Sequence, residues 1–380
     1  MKISEQKDLF QLATRTTFDP YQIQLTLTDL TTAEQGWLRP LLADLDVLYQ
    51  QLGTNFAIKF DIYQFEAFKH AFLTHESATA LRTQIQQIWS EHQVWWRGRN
   101  FSLNLTTDPI VYSIINTSPD SFYDGGVLKD MDTVMQRVAA DVEAGAKVIE
   151  VGGQTTRPGF KPITPEVEIK RTVPQVKAIK QAYPDIVVAV DTYKTPVMRA
   201  VLAAGADAIN DVNGFNDDPE KFKLLREYQP AVLTMHENRG RPYKDSLTPN
   251  IRQFFKTNLE MLLQEADLDY EAIALDQGIG YSANADNIQD FAFMRSLSEL
   301  NIFGRPTMVA VSNKGFYGKL LGLAKDSRLL PTIVSETVMI QQGGRLIRVH
   351  DAKATADMIK LLKAINTSFL IDKENDEIKS

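Results

Sequence analysis

Two aspartates end apolar runs in this sequence, Asp191 in VVAVDTYK and Asp276 in IALDQGIG. A carboxylate closing a buried strand must be hydrogen-bonded or charge-paired, because burying it bare is prohibitively costly. A helix cap or an ion pair would satisfy either one alone. Taken with Asn210, which closes the run between them in GADAINDVNGF, they point to a shared ligand site. A carboxylate accepts two parallel N–H bonds, so it suits an aminopyrimidine edge as well as an arginine fork. Cations stand at comparable points: Lys314 in VSNKG, and Arg348 and His350 in LIRVHD. Singly, each reads as a surface charge or a structural histidine. Gathered at one concave mouth, they would bind phosphate or diphosphate.

Other strand ends are open to two readings. Asn116 ends IVYSIIN and leads into TSPDSFYDGG, residues whose turn chemistry alone would explain them. Thr155-Thr156-Arg157-Pro158-Gly159 reads equally as a stiff loop and as hydroxyls with a guanidinium for an anionic substrate group. His236, in VLTMHENRGRP, serves structure at least as readily as binding.

These residues need elements that bring strand ends together. From Ile110 onward, short β-branched runs alternate with helix-length amphipathic segments. The runs are Ile110–Ile115, Val148–Val151, Ile186–Val190, Ala208–Asn210, Ala231–Met235, Ala272–Leu275, Thr307–Val311 and Leu346–Val349. Continuous apolar runs mark strands buried on both faces. Eight alternations over ~250 residues predict a TIM (β/α)8 barrel, whose active site forms where strands finish. A doubly wound α/β sheet is the alternative, weakened because no GxGxxG follows the first run.

The first 95 residues read as a small separate α/β domain, with the barrel over residues 96–380. Helices are expected at Thr32–Gln51 and Thr79–His92 and strands at Ile23–Thr28 and Phe56–Phe60. His70, His75 and His92 lie there without metal-ligand spacing, so they are expected on solvated helix faces, and no chemistry is assigned to them.

Composition excludes several classes. The formal net charge of -7 argues against a general nucleic-acid binder. With no cysteine, there is no disulfide, thiolate zinc site or cysteine nucleophile. No basic-then-apolar leader and no run of about 18 apolar residues stands out, so a soluble, cytoplasmic protein without membrane contact is expected.

The motifs INTSPDSFYDGG, GAKVIEVGGQTTRPG, VAVDTYK, GADAINDVNGF, LTMHENRGRP, LDQGIGY, VSNKGFYGKLLG and LIRVHD occur in that order. Together they resemble dihydropteroate synthase from about Trp96 to the C-terminus. The resemblance implies a homodimeric TIM barrel, a transferase of folate biosynthesis. It would condense 6-hydroxymethyl-7,8-dihydropterin diphosphate with 4-aminobenzoate to give 7,8-dihydropteroate and diphosphate, with Mg²⁺ as cofactor. It implies that Asp276 grips the pterin's amino-pyrimidine edge, with Thr156, Asn210 and Asp191 completing the pocket and Lys314 against the pterin. Asp191 and Lys314 would be the catalytic pair. Asn116 would help hold Mg²⁺ on the diphosphate, whose oxygens Arg348 and His350 bind. Phe122, Thr156, Arg157, Pro158 and Ser312 would shape the aminobenzoate site, with Ser121 on the same first loop.

The chain departs from the family pattern at Gln154, Gln277, Asn313, Thr117-Ser118 and Tyr281-Ser282-Ala283. The changes at Ala283 and Asn313 remove two positive charges from the aminobenzoate side. Two other readings stay open: a pterin-binding paralogue without condensation, and a folate-to-corrinoid methyltransferase type, which should lack the first loop and the Arg348/His350 pair.

Overall fold

The structure is a computed structural model that describes residues 1–75, 80–116, 130–155, 160–236, 247–281 and 288–369. In the N-terminal part, β1 (Lys2–Gln6), the short β2 (Phe10–Gln11) and β3 (Thr16–Thr17), and β4 (Gln22–Thr28) precede α1 (Thr32–Asp44). They are followed by β5 (Leu48–Leu52), β6 (Asn55–Asp61), α2 (Ile62–Phe72) and α3 (Arg82–Glu91). The sheet runs β1-β4-β6-β5, every pairing antiparallel. On β4 and β6 alternate residues (Ile23, Leu25, Leu27; Phe56, Ile58, Phe60) turn into one core beneath the helices, the period of two that a half-buried sheet requires. Reciprocal caps start two of the helices, Thr31 with Glu34 and Asp61 with Gln64.

The helix expected over Thr32–Gln51 stops at Asp44. Asp46 turns the chain with a φ of 52°, and the next residues become an edge strand paired to β6. Main-chain pairing outweighs the helical pattern there, and β1 and α2 are likewise elements the sequence pattern did not announce. Two histidines need correction. His75 lies beyond the end of α2, half-buried, with its ring stacked 4.0 Å from that of Trp37. His92 is fully buried, with its Nδ1 2.8 Å from the Pro20 carbonyl, its Nε2 on Glu5, and Phe18 against the ring edge. It is a core histidine, not a residue of a solvated face.

A hairpin follows, β7 (Trp95–Gly98) with β8 (Phe101–Asn104). The barrel strands are β9 (Ile110–Asn116), β10 (Val148–Gly152), β11 (Val187–Asp191), β12 (Ala208–Asp211), β13 (Ala231–Met235), β14 (Ile273–Asp276), β15 (Thr307–Val309) and β16 (Gly344–Val349). They close in sequence order, with β16 pairing back to β9, and all pairings are parallel. The helices α4 (Met131–Glu143), α5 (Pro165–Ala182), α6 (Thr195–Ala203), α7 (Glu220–Tyr228), α8 (Leu247–Glu265), α9 (Ile288–Arg295), α10 (Gly315–Leu321), α11 (Leu329–Gln341) and α12 (Ala352–Asn366) fall between and after the strands. The expected TIM barrel, preceded by a smaller α/β unit, is therefore the fold.

Alternation along each strand decides what enters the barrel. Ile149, Val151, Val188, Val190, Ile209 and Ile347 join the outer core under the helices. Their neighbours Tyr112, Val148, Ala189, Ala208, Leu233 and Leu346 fill the interior. The hairpin plugs the floor with Trp96, whose indole N–H donates to the Ala272 carbonyl at 3.2 Å. The interior above Trp96 is thus apolar, and its inward residues turn polar towards the strand ends.

Candidate active site

The same two-residue step that puts Val148, Ala189, Ala208 and Leu346 inside the barrel carries Glu150, Asp191, Asn210 and Arg348 inside one step higher. Arg348 bridges two carboxylates there. Its Nε lies 2.9 Å from Glu150 Oε1 and its Nη2 3.0 Å from Asp191 Oδ2. The other oxygen of Glu150 accepts the Tyr112 hydroxyl at 2.8 Å and the Asn210 amide at 3.0 Å. Glu150 is fully buried and joins four strands through these partners. The motif reading did not single it out, although a Glu inside VIEVGG breaks an apolar strand just as Asp191 does.

Asp191 and Asn210 sit directly opposite each other on β11 and β12. Each has its Oδ1 buried with no hydrogen-bond partner among the described residues. Burial and the nearby Glu150 push the Asp191 carboxyl up to about 8, against the pull of Arg348. Burial also raises Asp276, whose Oδ1 accepts the Gly278 N–H at 2.9 Å; Lys314 and Arg348 oppose that rise. Buried acceptors without donors are costly, so this end of the barrel is built to receive N–H groups.

The cations arrive from β15 and β16. Lys314, at the start of α10, donates to the Ile279 carbonyl at 2.9 Å and lies 5.5 Å from the Tyr281 ring centre. Gly280, with φ +94°, is what admits it: a Cβ there would stand 2.8 Å from the lysine Nζ. His350 Nδ1 is 3.1 Å from Ser312 Oγ, which also accepts the His350 backbone N–H at 3.2 Å. Arg348 uses Nε and Nη2 within the barrel, while Nη1 makes no hydrogen bond to any described residue. Asn116 pairs with Gly152 across β9 and β10, and a Cβ at Gly152 would come within 2.6 Å of Asn116 Oδ1.

Asn210 and Arg348 are thus joined directly to Glu150, and Asp191 to it through Arg348; Asp276 and Lys314 are electrostatic neighbours, and Ser312 holds His350. Ser121, Phe122, Thr156, Arg157, Pro158, Ser282 and Ala283 lie outside the described residues, as do Thr117 and Ser118. His236 is buried, edge-on to Phe254 and Phe293, and its backbone N–H donates to the Asp276 carbonyl. The departures have structural partners. Gln154 accepts Lys194 at 2.7 Å, and the Gln277 amide donates to the Phe293 carbonyl at 3.1 Å. Asn313 takes a left-handed φ of 54° and donates to Asp351 at 2.9 Å, while Arg328 brings a guanidinium to its carbonyl.

Among the described residues, no group of three or more His, Asp or Glu could hold a metal ion. Asn116 offers a neutral oxygen at the mouth. That donor set fits a Mg²⁺ held chiefly by substrate phosphates and water, since Mg²⁺ commonly takes only one or two protein ligands.

The family described as Pterin binding enzyme matches residues 112–350. A dihydropteroate synthase from Synechocystis sp. is 35% identical over 264 residues, covering 67% of this chain and 89% of that protein. Among solved structures, the Yersinia pestis dihydropteroate synthase in a sulfonamide drug complex superposes with a TM-score of 0.68 at 31% identity. It covers 72% of this chain and 100% of that one. The Xanthomonas albilineans dihydropteroate synthase with 4-aminobenzoic acid gives a TM-score of 0.66 at 27% identity, over 72% and 98% of the two chains.

Proposed function

Because this chain belongs to the pterin-binding enzyme family, we infer that it catalyses the dihydropteroate synthase reaction, joining 6-hydroxymethyl-7,8-dihydropterin diphosphate to 4-aminobenzoate. The observation that carries this reading is the pair of unpartnered buried acceptors, Asp191 Oδ1 and Asn210 Oδ1, on adjacent strands. Asp276 takes the amino-pyrimidine edge, Asn210 and Asp191 take the remaining ring donors, and Lys314 covers the pterin. Each N–H delivered to a buried acceptor removes a desolvation penalty of about 1–3 kcal/mol.

In the reaction, the arylamine nitrogen forms a bond to the pterin methylene carbon as the bond from that carbon to the diphosphate oxygen breaks. The electron pair leaves with the diphosphate, and the surplus amine proton passes to water. Negative charge grows on the leaving group, where the remaining Arg348 N–H groups and the Ser312-held His350 stabilise it. Positive charge grows on the methylene, which an ionised Asp191 stabilises. Mg²⁺, held with Asn116 on the diphosphate, would supply further charge neutralisation. A neutral arylamine is already nucleophilic, so no covalent enzyme intermediate is required. Phe122, Thr156, Arg157 and Pro158 complete the aminobenzoate side in this reading, with Ser312 at its edge.

The same reading makes the protein a cytoplasmic homodimer. Among the described residues, no helix is long and apolar enough to cross a membrane. Support for the dimer is the stripe Leu330, Val334 and Val338 on α11 beside Leu361 and Ile365 on α12, all exposed apolar residues on packed helices.

The test is diphosphate release by the purified protein with Mg²⁺ and the pterin diphosphate, with and without 4-aminobenzoate. Release that depends on the arylamine and yields dihydropteroate supports the assignment. Pterin binding without either product would make the chain a binding paralogue.

A further inference from the structure

At the floor of the barrel, away from the mouth, a cavity of about 80 Å³ opens between the N-terminal unit and the turns that lead into β14 and β15. Two arginines line it, Arg15 from the turn between β2 and β3 and Arg305 just before β15. Both guanidinium groups lie over the Tyr270 ring, at 3.8 and 4.6 Å from its centre. Arg305 is only 3% exposed. Its Nη1 donates to the Tyr270 carbonyl at 2.9 Å and its Nη2 to the Trp95 carbonyl at 2.6 Å, while its Nε is buried with no hydrogen-bond partner among the described residues.

Neither arginine has a carboxylate partner among the described residues. The two acidic side chains on the cavity wall are taken elsewhere, Glu91 by Lys7 and Glu271 by Arg97. A buried guanidinium without a counter-charge is costly, and a second cation beside it adds repulsion. The ring face offsets part of this, and carbonyl oxygens satisfy part of the hydrogen bonding. What the arrangement leaves open is one buried guanidinium N–H with a second cation beside it, opposed in charge by Glu271, which Arg97 also holds.

We propose that this cavity is a site for a phosphate-class dianion, held by the exposed Arg15 guanidinium with the buried charge of Arg305 behind it, so that it bridges the N-terminal unit to the barrel floor. The volume corresponds to roughly five to eight waters, enough for a phosphate group. Guanidinium forks match phosphate oxygens, and two of them match its double charge. The site is separate from the diphosphate subsite at the mouth and does not depend on the reaction assigned there.

The experiment is calorimetric titration of the full chain with inorganic phosphate at fixed ionic strength, using wild type, Arg15→Gln and His350→Gln. Arg15 is exposed and lies outside the assigned active site, so its replacement should leave the fold and the turnover intact. One phosphate-binding event should be shared by wild type and His350→Gln and weakened about tenfold or more in Arg15→Gln, the loss of one charge-assisted bond. An unchanged isotherm in Arg15→Gln overturns the proposal, as does phosphate binding lost only in His350→Gln. No detectable phosphate binding, or acetate binding as tightly as phosphate, overturns it as well.

Discussion

Glu150 and Arg348 face each other across the barrel interior from β10 and β16, and the carboxylate that fixes the arginine also fixes the Asn210 amide. One buried side chain therefore sets the position of both a guanidinium and an amide at the barrel mouth.

Replacing Glu150 with Gln should act on both. The amide keeps the shape but removes the charge that holds Arg348, leaving Asp191 as its one carboxylate partner among the described residues. A loss of about 1–3 kcal/mol in stability is expected, together with a fall in turnover, because Arg348 loses the partner that aims it. Denaturant unfolding alongside steady-state kinetics checks this. Glu150→Asp should recover part of the activity, and a Gln variant with wild-type turnover would remove Glu150 from the machinery.

Asp276→Asn tests the pterin pocket. The amide can keep the Gly278 contact through its oxygen, but it places a donor where the ligand also presents donors. Pterin affinity should fall about 10–100-fold, the worth of a hydrogen bond to a charged group. Direct titration with a pterin ligand reads it, and an unchanged dissociation constant refutes the pocket.

Lys314→Ala should lower turnover at least as much as pterin affinity, since the ammonium stands beside Tyr281 at the strand end and pulls on Asp276. Turnover and affinity both equal to wild type would reduce the lysine to a surface charge.

Much of the barrel could be read from the sequence because strands buried on both faces leave unbroken apolar runs, and the polar residue ending each run marks the mouth. Asp191, Asn210 and Arg348 were visible by that rule. Glu150 was not, because attention to strand ends passes over a polar residue one step inside. In the N-terminal part the signal is weaker. The LYQQL stretch of β5 becomes a strand through pairing with β6, and His92 is buried by Pro20, Glu5 and Phe18, partners about 70 or more positions away that no local pattern reveals.

The apolar stripe on α11 predicts association. Val334 is exposed on a stripe with Leu330 and Val338, and a charge there would be buried without a partner if the stripe meets a second copy. Val334→Glu should convert a dimer to a monomer without unfolding it, as read by light scattering. A wild-type chain that is monomeric at micromolar concentration would remove the dimer from the reading.

The buried carboxyls also give a pH dependence whose sign is fixed. Asp191 and Glu336 are both pushed up to about 8, chiefly by burial, whereas unfolding returns each to the ordinary carboxylate range near 4. The folded state thus holds protons that the unfolded state has released. Their stabilising contribution is complete below the unfolded value and is lost as pH rises through about 8. Unliganded protein should therefore unfold at lower urea at about pH 8 than at about pH 5, and Asp191→Asn should lose less over that interval than wild type. A pterin that donates N–H to Asp191 Oδ1 favours the ionised carboxylate. Binding at neutral pH should then release a proton, seen as a dependence of the calorimetric enthalpy on the buffer's ionisation enthalpy. An enthalpy independent of buffer, or proton uptake, would mean that the pterin does not meet an ionised Asp191.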